Sequence, residues 1–254
     1  MDFDVLRWEE IDRVVHLTLD RPPVNALSIA TYREIERWFD SVEELAPSAR
    51  VIVWSGAGPH FCVGRDLKEG GPPGMSVAER NRIVHRSAAA VANCALPIIA
   101  AIHGTAVGGG LGFAASADAL IASEGTRVGM PEIRLGLMGG AAHLGRLVPP
   151  GVVRWMCYTG RLVEVEQLAA YGGLYSVVPK GNLVDEALTL AAEFAESSGV
   201  ALRYAKHTLA AISELPLVQG FKYEQRMTEE LSKYADGLEA RMAFVEKRKP
   251  TFET

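Results

Sequence analysis

Residues 97–110 read PIIAAIHGTAVGGG, and the chain continues LGFAASADA through residue 119. A short apolar run ends at a glycine turn, and a triple glycine stands just before a helical stretch. Glycine lets backbone approach a ligand closely, and a helix N-terminus leaves N–H groups without intrahelical partners. The segment therefore aims free donors and the positive end of a helix at an anion. Upstream the pattern recurs: VIVWSG (51–56) leads into a glycine turn within FCVGRDLKE (61–69). Two such turns together can form an oxyanion hole, whereas either alone is more often a packing solution. An early G-x-G-x-x-G with a distal acid is absent, so nothing marks a dinucleotide site.

Outward from these turns, β-rich runs at 13–19, 51–54, 98–102 and 119–122 alternate with helical segments at 31–45 and 77–92. Alternation of this kind predicts an α/β fold. From about Asn182 strand signals stop. Three amphipathic helices are expected there, punctuated by Pro216 and Gly237. The expected organisation is a core over 1–190 carrying the site and a helical region over 191–254 that packs on the core or on another subunit.

The 254 residues are 48% hydrophobic and 22% charged, enough to bury a full core, and the net charge of −5 offers no field for nucleic acid. The longest apolar run, 91–121, is interrupted by Asn93, Pro97 and His103, so no membrane span is expected. The start, MDFDVLRWEE, carries no targeting pattern, which points to the cytoplasm. Cys62, Cys94 and Cys157 lie far apart without CxxC spacing, so reduced thiols are expected, with neither a disulfide framework nor a zinc site.

A third segment, RVGMPEIRLGLMGG (127–140), places Glu132 directly after Pro131. Proline at a first helical position followed by an acid is also how helices simply begin. Order and spacing shift the weight toward chemistry. NAL at 25–27, FCVGRDLKE, PIIAAIHGTAVGGG, PE-x-x-LG at 131–136, TGR at 159–161 and the terminal F-x-E-K-R together resemble the enoyl-CoA hydratase/isomerase, or crotonase, superfamily. The likeness runs from Asp20 to Phe252.

The resemblance implies a spiral of ββα units whose C-terminal helices build a homotrimer or a dimer of trimers. It implies an acyl-CoA thioester substrate, with coenzyme A entering as part of the substrate and no separate cofactor or metal. The oxyanion donors would be the backbone N–H groups of Arg65 and Gly109, with Glu132 as acid/base. Coenzyme A would lie along Val24, Ala26, Gly64, Asp66, Leu67, Lys68 and Gly108, with Phe244 and Lys247 reaching its nucleotide end from a neighbouring subunit. Many relatives carry a lysine before NAL, where this chain has Pro22 and Pro23.

Hydratases of the superfamily use two glutamates, and the first of these positions is Gly112 here. One carboxylate suffices to move a double bond, so enoyl-CoA isomerisation is the preferred expectation. Hydration with one glutamate, thioester hydrolysis, decarboxylation and a catalytically weak acyl-CoA-binding protein are the alternatives. His143, in GGAAHL where relatives often read PGAGGT, is a candidate for the acyl pocket, although a lone histidine is more often simply hydrogen-bonded. Asp66 and Asp118 are expected to cap backbone N–H groups, and His103 to pack.

Overall fold

The computed structural model describes residues 1–69 and 72–253. Its main sheet starts from β1 (Leu6–Ile11) and β2 (Val14–Leu19), joined as an antiparallel hairpin. Helix α1 (Ile29–Asp40) and the short α2 (Val42–Leu45) lead into β3 (Val51–Gly56), and α3 (Val77–Ala92) leads into β4 (Ile98–Ile102). Then follow β5 (Thr105–Val107), α4 (Gly109–Ser116), β6 (Ala119–Ser123) and β7 (Arg127–Gly129). A 3₁₀ turn at Pro131–Leu135, α5 (Ala141–Leu144), α6 (Pro150–Thr159), β8 (Val163–Glu164), α7 (Val165–Ala169) and β9 (Ser176–Val178) complete the core. The main sheet has the order β1-β2-β3-β4-β6-β9 and is parallel from β2 onward, and β5-β7-β8 form a second, smaller sheet.

Parallel strands are covered on both faces, which is why β3 and β4 are nearly continuous apolar runs. Ile52, Trp54, Ile98, Ala100 and Ile102 face a core shared with Trp38, Phe39 and Phe113. The alternate residues Val51, Val53, Ile99, Ala101 and Ile121 face Leu183, Ala187, Leu190 and Ala191 of α8 (Leu183–Ala195). Each leucine so buried contributes roughly 1.5–3 kcal/mol, enough to hold α8 on the sheet. Residue 190, where the sequence reading divides the chain, lies inside this helix.

Beyond α8 come α9 (Gly199–Ile212), α10 (Leu217–Leu231) and α11 (Ala235–Glu246). Helix formation from Asn182 therefore yields four helices among the described residues, one more than expected. Gly237 does not break the chain but is absorbed in the first turn of α11, the break falling at Ser232–Tyr234. The helix expected over 31–45 is likewise divided at Ser41. Lys206 of α9 clamps this region to the sheet, donating to the Leu96 carbonyl at 2.8 Å and to Asp118 at 2.9 Å. Asp118 also accepts from the Ile98 N–H, which gives it the structural role expected of it. Leu217, Val218, Phe221, Leu238, Phe244 and Val245 are left exposed on α10 and α11. No helix among the described residues is long and apolar enough to cross a membrane.

Candidate active site

The two glycine turns are pinned to each other by backbone. Phe61 N–H donates to the His103 carbonyl, Cys62 N–H to Thr105, and Val107 N–H back to Cys62, at 3.0–3.1 Å. Two residues further along, Gly64 meets the second turn so closely that an added methyl would stand 2.7 Å from the Val107 carbonyl oxygen and 3.5 Å from the Gly109 nitrogen. Gly64 also has φ +80°, a backbone state that side chains disfavour. The turns thus bring the backbone on either side of Gly64 close to that of Val107–Gly109. Neither the Arg65 N–H nor the Gly109 N–H donates to an acceptor among the described residues, and Gly109, as the first residue of α4, has no intrahelical acceptor.

The NAL segment supports this close approach from the other side. Asn25 is buried with φ +54°; its amide donates to the carbonyls of Ala57 and His60, and its Oδ1 accepts from the Arg21 N–H. This network turns the chain so that Val24–Leu27 runs beside Val63–Asp66. Val63 N–H donates to Val24, Leu27 N–H to Gly64, and Asp66 N–H to Leu27. Val24 and Ala26 are half-buried there, while Leu67 and Lys68 lie exposed at the rim. Asp66 caps the N–H groups of Lys68 and Glu69 and pairs with Arg21 at 2.9 Å, which draws its carboxyl below the usual range. That is the capping role read from the sequence.

Glu132 arrives by way of the smaller sheet. Strand β7 pairs with β5, and the Gly108 N–H donates to the Gly129 carbonyl at 3.0 Å. Met130 then turns into the 3₁₀ segment with Pro131 first and Glu132 second. The carboxylate comes to rest beside the second glycine turn: a methyl on Gly108 would stand 2.8 Å from Glu132 Oε1, and one on Gly139 would stand 3.5 Å from the same atom. Glu132 Oε2 is buried with no hydrogen-bond partner among the described residues. Burial pushes the carboxyl above its ordinary range, against a smaller opposing pull from a backbone hydrogen bond.

Gly112 leaves room for more than hydrogen, and the atom nearest a methyl there is His143 Cγ at 4.0 Å. His143 thus stands beside Gly112. The imidazole is half-buried, and burial, then Arg146, lowers its pKa, so the neutral ring is favoured. His103 hydrogen-bonds the Gly58 carbonyl, which fits the packing role expected of it. Phe244 and Lys247 are exposed on α11 and at its C-cap, and no hydrogen bond or ion pair among the described residues joins them to the glycine turns. Within one chain they stand apart from the site. Cys62, Cys94 and Cys157 are free thiols, and no cluster of three metal-ligating side chains occurs among the described residues.

One residue escaped the sequence reading. Tyr32 on α1 is 4% exposed, and its hydroxyl lies 2.7 Å from the point where a Gly109 side chain would begin. In sequence it is one more apolar position on the buried face of α1, and no local signal ties it to a turn so far along the chain.

The enoyl-CoA hydratase/isomerase family model matches residues 9–254. Among curated proteins, (7aS)-7a-methyl-1,5-dioxo-2,3,5,6,7,7a-hexahydro-1H-indene-carboxyl-CoA hydrolase of Rhodococcus jostii is 35% identical, covering 94% of this chain and 93% of its own. Carnitinyl-CoA dehydratase of Proteus mirabilis is 33% identical, covering 94% and 95%. Among solved structures, an enoyl-CoA hydratase from Bacillus anthracis aligns with a TM-score of 0.90 at 30% identity over 98% of this chain and 99% of its own. An enoyl-CoA hydratase from Mycobacterium smegmatis aligns with a TM-score of 0.92 at 26% identity over 99% and 100%. The mixed fold with its helical C-terminus is thus the crotonase fold, and the chain belongs to the enoyl-CoA hydratase/isomerase family.

Proposed function

We propose that the protein binds an acyl-CoA thioester with its carbonyl oxygen at the N–H groups of Arg65 and Gly109 and uses Glu132 as the only carboxylate acid/base. The observation that carries this is the Glu132 carboxylate, whose Oε2 is buried and unpartnered and whose Oε1 stands beside Gly108 in the second glycine turn. Two preorganised donors favour charge developing on the thioester oxygen, and each is worth about 3–4 kcal/mol of transition-state stabilisation. A carboxylate with a raised pKa is matched to taking and returning a proton near neutral pH.

With that machinery, the reaction that asks for nothing further is double-bond migration in an enoyl-CoA. Glu132 takes the C2 proton of a 3-enoyl thioester, the electrons move onto the thioester oxygen as a dienolate, and the same carboxyl returns the proton to C4. Water chemistry is the second reading. It is favoured by His143, whose neutral ring stands over Gly112 and could hold a water opposite Glu132. The relatives named as a hydrolase and a dehydratase lend it weight.

Coenzyme A enters as part of the substrate, with Lys68 at the rim as a phosphate contact. The exposed apolar side chains of α10 and α11 support a homo-oligomer in which Phe244 and Lys247 serve a neighbour's site. Incubating the protein with 2-enoyl-, 3-enoyl- and 3-oxoacyl-CoA thioesters and identifying products by NMR tests the reading. Interconversion of the two enoyl isomers is expected. Hydrated or hydrolysed products instead, lost on His143→Ala, would favour the second reading; inertness toward all three would contradict both.

A further inference from the structure

We infer that the Tyr32 hydroxyl is a third hydrogen-bond donor of the oxyanion site, acting on the thioester oxygen beside the N–H groups of Arg65 and Gly109. The inference rests on the acyl-CoA reading above.

Three observations converge. First, the ring is buried, with 4% of the residue exposed. It packs at a 49° tilt against Phe113 with centroids 5.9 Å apart, and Leu27 Cδ1 borders the same space, 3.0 Å from the point where a Gly109 side chain would start. A tyrosine so held has no freedom to swing its hydroxyl elsewhere. Second, the hydroxyl makes no hydrogen bond among the described residues, and its oxygen is not one of the fully enclosed polar atoms, so it keeps access to a ligand oxygen. A hydroxyl that no protein acceptor occupies is free to donate to a ligand oxygen. Third, the hydroxyl stands 2.7 Å from where a Gly109 side chain would begin, and the charges of Arg65 and Glu132 both act on it. Gly109 is thus its direct neighbour, with Arg65 and Glu132 close enough for their charges to act on it. Burial, and after it the neighbouring Cys62, hold the phenol well above its ordinary pKa against the opposing pull of Arg65. The group is a donor, not a base, throughout the working range.

The alternative is that Tyr32 merely fills space under the glycine turn. Tyr32→Phe separates the two, because it keeps the ring, its tilted contact with Phe113 and most of the buried area. The probe is butyryl-CoA labelled with ¹³C at the thioester carbonyl. The readouts are the carbonyl ¹³C shift on binding, which reports polarisation of the C=O bond, and the rate of C2 proton exchange in D₂O. Wild-type protein is expected to move the carbonyl resonance downfield. Tyr32→Phe should retain affinity within about two-fold, lose part of that shift and exchange the C2 proton at least ~10²-fold more slowly, the loss expected of one donor in a low-dielectric site. A Tyr32→Phe protein with the full wild-type carbonyl shift and exchange rate overturns the inference and leaves the two-donor site intact. Wild-type protein that binds butyryl-CoA with no carbonyl shift overturns the acyl-CoA reading itself. A Tyr32→Phe variant with a lowered melting temperature and an unaltered carbonyl shift assigns the residue to packing and likewise overturns the inference.

Discussion

Gly108→Ala probes the contact on which the account of the site depends. Gly108 has φ +54° and ψ −126°, a region essentially confined to glycine, so alanine costs about 1–3 kcal/mol in backbone strain. For a chain of this length that lowers the melting temperature by about 2–12 °C. The new methyl would stand 2.8 Å from Glu132 Oε1, where ordinary contact begins at 3.4 Å. The carboxylate must therefore retreat by about 0.6 Å, with Gly139 close behind it. A 1 Å misplacement can cost ~10²-fold in rate, so roughly a 10-fold loss of turnover is expected beyond any effect of unfolding. Gly125→Ala is the control: Gly125 also has positive φ, +70°, but a methyl there meets nothing within 4 Å. Turnover of enoyl-CoA and thermal melting should be measured for both variants. The control should lose stability and keep its rate. If folded Gly108→Ala turns over as fast as Gly125→Ala, Glu132 does not act from beside the Gly108 turn.

Three further outcomes follow from the geometry. Lys68→Ala and Lys247→Ala should each raise KM for acyl-CoA with little change in kcat, checked by steady-state kinetics at low salt. Glu132→Gln should raise the melting temperature at pH 8 relative to wild type: a carboxyl whose folded pKa is raised loses stability as pH climbs from its unfolded pKa through its folded one, and the amide does not titrate. Below pH 4, where the carboxyl is protonated in both states, the advantage should vanish; an equal difference at both pH values would contradict the burial of that charge. Lys206→Ala leaves Asp118 and the Leu96 carbonyl without their cation and should cost about 2–3 kcal/mol by urea unfolding, since Asp118 is one-third exposed and partly rehydrates.

Much of this arrangement is legible in the chain because local and tertiary preferences coincide. The helix expected over 77–92 is Val77–Ala92, announced by a Ser76–Glu79 capping box, and the strand Ile98–Ile102 matches its apolar run. The glycine turns were readable because only glycine satisfies both the positive φ of Gly64 and Gly108 and the close backbone approach. What stayed hidden depends on distant partners. Strand β1, LRWEEI, carries three charged residues and is a strand because it zips onto β2 at the sheet edge. The second sheet is made of strands of two or three residues, too short for any periodicity. Tyr32 belongs with Gly109 only once α1 is laid under α4, and His143 meets Gly112 only after the Gly139–Gly140 turn folds α5 back.

The central claim is that one carboxylate, Glu132, moves the proton at a thioester held by backbone. Its most direct test compares wild type and Glu132→Gln for butyryl-CoA binding by calorimetry and for C2 proton exchange in D₂O by NMR. The amide keeps the shape of the side chain but cannot accept the proton, so affinity should stay within a few-fold while exchange falls by at least ~10²-fold. Exchange at the wild-type rate in a folded, ligand-binding Glu132→Gln protein would contradict the account.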